Sequence, residues 1–328
     1  MIRFLLGETA RRRLTVRSRA RSGSWSGSWA GALVFVWAAT ASGAVSAQSS
    51  DAVVTTTTYQ IGSSSTGSNL LPVSVTVAAG DGSVSATTVK TYDAVGNVVT
   101  VDGPLPGAGD TTRTLWDAMR RPVGVIGPDP DGAGGLPHAA TRTTYNADGQ
   151  VVRVEQGTTA GQTDAAWSGF TLLQKTTTTY DAQARKVRDT TYSGATTTIG
   201  AVTQYAYDAA GRPTCTAVRM NPAVFDSLPA SACTLGTEGG QGPDRIERRV
   251  YDAAGQLLQI RRAVGTPLEQ VYAAYTYSPN GKQTSVTDAN GNKASMTYDG
   301  FDRQAAWYFP STTTPGEVST TDYEAYGY

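Results

Sequence analysis

The chain has 328 residues, of which 39 % are hydrophobic and only 16 % charged; 36 are Gly, and Thr, Ser and Ala fill much of the rest. That mixture is too poor in charge for a solvated disordered tail and too rich in Gly and Thr for a helical bundle, so an all-β chain is expected. The formal charge is zero, but residues 1–47 carry seven Arg and one Glu, leaving 20 basic and 26 acidic residues beyond them, which excludes the electrostatic footprint of a nucleic-acid binder.

The first 24 residues are basic, with Arg3, Arg11, Arg12, Arg13, Arg17, Arg19 and Arg21, and no charge follows from Ser22 until Asp51. An apolar run, Ala30 to Ala41, ends in small residues, with Val45 and Ala47 placed for cleavage before Gln48. A basic stretch, a short apolar stretch and a small-residue site read as an export signal over residues 1–47. The uncharged stretch is also long enough to span a bilayer, so an uncleaved N-terminal anchor is the other reading. The chain is therefore expected to be exported: periplasmic, at the cell surface or secreted, with no membrane contact unless this segment is retained.

Residues 48–84 are rich in Thr, Ser and Gly and contain one strand-like run, Val73–Val77; they read as a leader. From residue 85 a short signature recurs. It stands at Tyr92-Asp93-Ala94-Val95-Gly96-Asn97, Tyr145-Asn146-Ala147-Asp148-Gly149-Gln150, Tyr207-Asp208-Ala209-Ala210-Gly211-Arg212 and Tyr251-Asp252-Ala253-Ala254-Gly255-Gln256. Degenerate copies begin at Trp116-Asp117, Tyr180-Asp181, Tyr277-Ser278 (with Gly281) and Tyr298-Asp299. The eight aromatic positions are 24, 29, 35, 27, 44, 26 and 21 residues apart, so a unit near 21 is lengthened by insertions.

Each copy carries turn chemistry. Asp or Asn suits the first position of a type I turn, and Gly three residues later suits the left-handed residue that closes a hairpin bulge. Strand-like runs flank the turns, such as Lys175–Thr179 before one and Val151–Val154 after another. Where Arg120, Ala184 or Asp302 replaces the Gly, a strained or reshaped turn is expected. The shortest spacing contains a second turn, Asp288-Ala289-Asn290-Gly291-Asn292, so one unit is two strands and two turns. Longer loops replace most of the other second turns: 102–110, 127–137, 155–169 and 221–243. These insertions are expected to project from one rim or face, where recognition would lie. Tyr205, Tyr275, Met296 and Tyr326, two residues before motif aromatics, share a face with them, which predicts a ladder of stacked rings.

Cys215 and Cys233 bracket a Pro-rich, poorly patterned segment, Met220–Pro229, and, in an exported chain, are a candidate disulfide; two buried free thiols are the alternative. A catalytic thiol has no partner, because the single His138 lies in a Gly/Pro-rich stretch.

The Tyr-Asp-x-x-Gly-Arg/Asn turns, with Val286–Asn292 preceding Tyr298-Asp299, resemble the YD repeat of the Rhs (rearrangement hotspot) proteins over roughly residues 85–328. The resemblance implies an all-β fold of repeated antiparallel hairpins in a curved, spiralling sheet, a partial YD-repeat shell. With about eight units, an open sheet is expected rather than a closed one. In this family, which includes toxin-complex shell components and the teneurin YD shell, bacterial members carry a C-terminal toxic domain. The chain stops at Tyr328 where a ninth Asp should follow, so it reads as a truncated product or fragment. Its implied partners are its own missing C-terminal shell and toxin region.

The repeat-turn residues are read as structural: Tyr92, Asp93, Gly96, Trp116, Asp117, Tyr145, Asn146, Gly149, Tyr180, Asp181, Tyr207, Asp208, Gly211, Tyr251, Asp252, Gly255, Tyr277, Gly281, Asp288, Gly291, Tyr298 and Asp299. No second carboxylate recurs at a fixed offset to form a catalytic pair, and Asp129-Pro130-Asp131-Gly132 lacks the distal Glu of a calcium loop. No enzyme activity, cofactor or metal is expected. The function expected is a non-enzymatic scaffold, with a surface adhesive or glycan-binding module as the alternative, Trp167 and Trp307 being its candidate platforms.

Overall fold

The computed structural model describes residues 52–59, 70–107, 109–132, 134–194 and 198–328. The export-signal or anchor reading of residues 1–47 lies outside these. Among the described residues no helix is long and apolar enough to cross a membrane.

The chain folds as one antiparallel sheet of 19 strands, β1 (Val53–Tyr59), β2 (Pro72–Ala79), β3 (Ser85–Tyr92), β4 (Val98–Asp102), β5 (Thr112–Trp116), β6 (Pro122–Ile126), β7 (His138–Tyr145), β8 (Val151–Thr159), β9 (Thr171–Tyr180) and β10 (Lys186–Ser193), then β11 (Ile199–Tyr207), β12 (Pro213–Arg219), β13 (Arg245–Tyr251), β14 (Leu257–Arg262), β15 (Gln270–Tyr277), β16 (Gln283–Asp288), β17 (Lys293–Tyr298), β18 (Gln304–Pro310) and β19 (Val318–Ala325). Among the described residues each strand pairs only with its sequence neighbours, from β1 with β2 to β18 with β19, so the sheet is not closed. Among the described residues helix is confined to α1 (Asp164–Ser168) and one 3₁₀ turn, Pro222–Val224. Both β1 and β2 belong to this sheet, so the leader contributes a strand, Val53–Tyr59, beyond the run its sequence signals. Its Thr-rich composition hides the strand because β-branched polar residues suit a pleated, half-exposed surface as well as a loop.

A strictly sequential meander sorts the connections. From β3 onward every turn from an odd to an even strand lies at one rim, which holds the eight signature turns from Asp93 to Asp299. The long insertions and the Asp288 turn, which join even to odd strands, lie at the other rim. The constant turns and the variable loops are thus at opposite strand ends.

The core follows one sheet face. Cross-strand pairing puts Ile126 opposite Ala140, Val202 opposite Arg219 and Ala217 opposite Ile246; all six are buried. Two insertions cover this face rather than projecting from it. Residues 160–170 bring Trp167 against Gly124, where a Cβ would meet the ring at 2.5 Å, and Phe170 against Gly157; Arg142 lies under both rings, 4.8 Å and 4.3 Å from their centroids. Residues 220–244 cover β11–β14, where Ala217, Ala232, Ile246 and Val264 pack round Cys215. The insertions fold back because a single sheet has no second layer, so its apolar face is buried only if the chain supplies one. Trp167 is therefore committed to packing.

Candidate functional site: the repeat turns, their links and the open groove

Nine turns share one hydrogen-bond pattern. The first residue's N–H donates to the carbonyl four residues on, and the fourth residue's N–H donates back to the first carbonyl. Asp208 N to Arg212 O (3.0 Å) and Gly211 N to Asp208 O (3.0 Å) are one instance. The turns at Asp93, Asp117, Asn146, Asp181, Asp252, Ser278, Asp288 and Asp299 repeat it. The fourth residue is left-handed throughout: Gly211 has φ 80°, and Arg120, Ala184 and Asp302 hold φ 63°, 62° and 62°. The non-Gly copies therefore keep the turn and accept the strain, because the same two backbone bonds close them.

The turn carboxylate is fully used. Asp208 Oδ1 accepts from the amides of Ala210 and Arg212, both at 2.9 Å, and Oδ2 accepts from Arg212 Nε at 2.6 Å. Arg121, Arg185 and Arg303 bind Asp117, Asp181 and Asp299 in the same way; Asn97 and Asn292 replace the Arg at Asp93 and Asp288. These six carboxyls, Asp208 included, are held below the ordinary aspartate value of 3.8. At Asp117, Asp208 and Asp299 the amide of the fifth residue is the leading cause. At Asp93, Asp181 and Asp288 partial desolvation pushes upward, and the combined hydrogen bonds outweigh it.

The motif aromatic joins one repeat to the next. Tyr207 donates its hydroxyl to Lys186 O at 2.8 Å, Tyr251 to Pro213 O at 3.1 Å, Tyr277 to Leu257 O at 3.0 Å and Tyr298 to Gln283 O at 2.8 Å. Tyr92, Tyr145, Tyr180 and Tyr328 do the same to Pro72, Pro122, Val151 and Gln304, and Trp116 donates its indole N–H to Val98 O. The geometry is invariant. The acceptor lies two residues before the last cross-strand pair, and the aromatic three residues after that pair's other member, as with Arg188 opposite Gln204. Where the backbone ladder stops, the side chain supplies one more rung.

The predicted stacking of ring on ring is not found. Among the described residues the ring pairs are Trp167–Phe170 and Tyr308–Tyr323, and four motif aromatics instead carry the preceding turn's guanidinium. Arg121 lies over Tyr145 at 4.5 Å, Arg185 over Tyr207 and Arg212 over Tyr251 at 4.7 Å, and Arg303 over Tyr328 at 4.3 Å. Rings two strands apart are separated by roughly 9–10 Å, beyond stacking range, and a flat cation pinned to the turn Asp fills the gap. Neighbouring turns also bond directly, as Arg120 Nε to Asn97 Oδ1 (2.8 Å) and Asn280 Nδ2 to Asp302 Oδ1 (2.7 Å).

Cys215 and Cys233 are bonded, with Cα atoms 5.2 Å apart. Beside them Arg219 and Asp244, side chains 0 % and 6 % exposed, form an ion pair at 2.7 Å. Arg219 also donates to Gln204 Oε1, Thr234 O and Ser231 O, and Asp244 accepts from the amides of Met220 and Gly236. Burial pushes the Asp244 pKa upward, but the Met220 and Gly236 amides and Arg219 together bring it below the usual value. Nothing in the sequence singled out this pair, since a lone Arg and a lone Asp 25 residues apart carry no pattern.

On the face opposite the insertions an open groove of about 870 Å³ crosses β6–β11 near the loop rim. Val125, Thr141, Gln156, Gln174, Thr191 and Ala201 line it, and no charged side chain does. Gln156 stands opposite Gln174 across the ladder. Asp129 and Asp131 serve their own loop, Asp129 Oδ1 accepting from Asp131 N and Asp131 Oδ2 from Leu136 N. Among the described residues no cluster of three His, Cys, Asp or Glu side chains could hold a metal.

Residues 277–308, which hold the most closely spaced turns, match the family model of the RHS repeat. No curated protein matches the chain in sequence. Similar solved structures include the TcdB2–TccC3–Cdc42 complex, 15 % identical with a TM-score of 0.39, covering 73 % of this chain and 12 % of that one. The TcdB2–TccC3 complex is 15 % identical, with a TM-score of 0.38 and coverages of 79 % and 15 %. The Photorhabdus luminescens Tc holotoxin pore is 12 % identical, with a TM-score of 0.32 and coverages of 76 % and 15 %. The chain spans less than a sixth of each of these. The RHS match thus lies on three turns, and the other six are closed by the same pair of backbone bonds.

Proposed function

We propose that this chain is a non-enzymatic wall: an exported YD-repeat segment of an Rhs-type toxin carrier, which helps enclose or present a C-terminal effector. The observation that carries the reading is the invariant aromatic-to-carbonyl rung, made nine times between Pro72 and Tyr328. It spends the one reactive-looking feature of the signature, an aromatic beside a carboxylate, on holding neighbouring repeats in register. Six turn carboxylates are likewise committed to amides and to guanidinium or carboxamide groups, which suits a rigid enclosure. Its partners on this reading are further repeats and the effector they surround. The test is the coding sequence beyond the Tyr328 codon. More repeats followed by an unrelated domain support a carrier, and a stop codon at that point overturns it.

A second reading rests on the uncharged groove across β6–β11. Its carboxamides and hydroxyls suit a neutral polar ligand, so an adhesive or glycan-binding module is the alternative. A glycan array probed with the purified chain separates the two: saturable binding abolished by Gln156→Ala with Gln174→Ala favours the module, and an empty array the wall.

A further inference from the structure

We infer that residues 221–243 form a redox-gated lid on the sheet: closed while Cys215 and Cys233 are bonded, and released when a thiol reductant separates them. The device rests on four features. First, the segment is an inserted loop with its own small core, in which Ala232 and Leu235 cover Ala217 and Ile246 of the strands and Val264 of the turn after β14. Second, its attachments to the sheet converge on one short stretch. Cys233 is bonded to Cys215 of β12, while Arg219 at the end of β12 donates to the carbonyls of Ser231 and Thr234 on either side of it.

Third, outside that stretch few hydrogen bonds tie the segment down: Arg188 to Phe225 O and Gln204 to Pro229 O from the strands, and the Gly236 amide to Asp244, with Phe225 itself buried. Fourth, the two sulfurs differ in access. Cys215 is buried at 1 % exposure, and Cys233 is half-buried. An incoming thiolate therefore attacks Sγ of Cys233, and Cys215 leaves as the thiolate and takes up a proton. A second thiol of the reductant then resolves the mixed disulfide, so the reductant is oxidised to a disulfide and both cysteines end as thiols.

The covalent bond closes a loop spanning 18 positions, and losing such a closure favours the open lid by on the order of a hundredfold. The ladders and rungs of β11–β14 are themselves made outside the lid. Its relevance in the cell rests on the export reading, which would place closure after the chain leaves a reducing compartment; the gate itself does not.

Hydrogen exchange read by mass spectrometry on the full chain, oxidised and then reduced with dithiothreitol, tests the gate, with thiol titration to show two free thiols. Peptides from 221–243 should exchange about a hundredfold faster when reduced, peptides of β7 and β8 should be unchanged, and oxidised glutathione should restore the slow rate. Lid exchange unchanged on complete reduction would show that Arg219 holds the segment alone and would overturn the gate. Equal acceleration in β7 and β8 would make the disulfide a global staple, which also overturns it. The Cys215→Ala, Cys233→Ala chain should reproduce the reduced pattern without reductant; should it fail to fold, dependence of the whole sheet on the bond is established instead, against the proposal. Each arm is measured in vitro, so failure of the export reading leaves these outcomes unaffected.

Discussion

Tyr207 donates to the carbonyl of Lys186 at 2.8 Å, beyond the point where the β10–β11 ladder ends at Arg188 opposite Gln204. The hydroxyl thus acts as a surrogate backbone donor, and the ring spans the distance an extra residue pair would cover.

Tyr207→Phe keeps the ring under Arg185 and removes only this bond. The expected loss is about 1 kcal/mol, the net value of a typical intramolecular hydrogen bond. Thermal melts of the variant and of Tyr207→Ala should rank in that order, the alanine also losing the cation–π contact. An unchanged melt for the phenylalanine variant would show that the rung carries no stability.

Ala184 sits at φ 62° where five of its counterparts on the same rim are Gly. Ala184→Gly should stabilise the protein by about 1 kcal/mol, because relief of left-handed strain exceeds the added freedom of the unfolded chain. Arg120→Gly should gain less, since it forfeits the Arg120–Asn97 bond. Gly211→Ala should lose about as much as Ala184→Gly gains, all three being read from thermal midpoints.

Acid should weaken the sheet in a defined window. Asp93, Asp117, Asp181, Asp208, Asp288 and Asp299 all titrate below 3.8 when folded. Their contribution is complete above the unfolded value and is lost as pH falls through the lower folded values. The melting temperature should therefore be flat above about pH 5 and decline from roughly pH 4 downward. A chain with Asp208→Asn should show a shallower decline.

The alkaline limit has its own marker. Tyr205 is pushed up to about 12, first by burial and then by its hydrogen bond to Asp189. A phenol protonated more strongly when folded contributes fully below its ordinary value of 10.0 and loses that contribution as pH rises through the folded value. Ultraviolet titration should show a late-ionising tyrosine that Tyr205→Phe removes.

Arg219→Met should cost about 3–5 kcal/mol, because it strands Asp244 without its cation in a buried site. Arg219→Met combined with Asp244→Asn should recover part of that, since the Met220 and Gly236 amides keep an acceptor. Equal destabilisation in the single and double variants would show that packing rather than charge dominates there.

The fold was legible because its signal is local. Asp, Asn or Ser followed three residues on by Gly encodes a turn, and six such turns with three variants that replace the Gly encode a meander. The rung was not legible. Which carbonyl Tyr207 meets depends on cross-strand register, and Lys186 has no residue signature because a backbone oxygen is the same in every amino acid. The stacking partner was misread for a related reason: alternation puts Tyr205 and Tyr207 on one face but says nothing of the spacing between strands, and Arg212 or Arg185 fills that spacing. The folded-back insertions were invisible as well, because Trp167 lies over Gly124, 43 positions away in the chain, and a Gly that makes room for a ring looks like any other loop or strand Gly.

Segregating the signature turns to one rim also explains how spacings from 21 to 44 residues coexist with one register. An added segment at the opposite rim starts and ends at the same strand ends, so it alters neither the phase of the pairing nor the reach of any tyrosine. The architecture behaves like a bound book whose pages vary only at the fore-edge: the spine keeps its stitching however much is pasted in. Grafting a foreign loop between Gly103 and Asp110 should leave the stitching intact, whereas one residue inserted between Asp208 and Gly211 should unpick it.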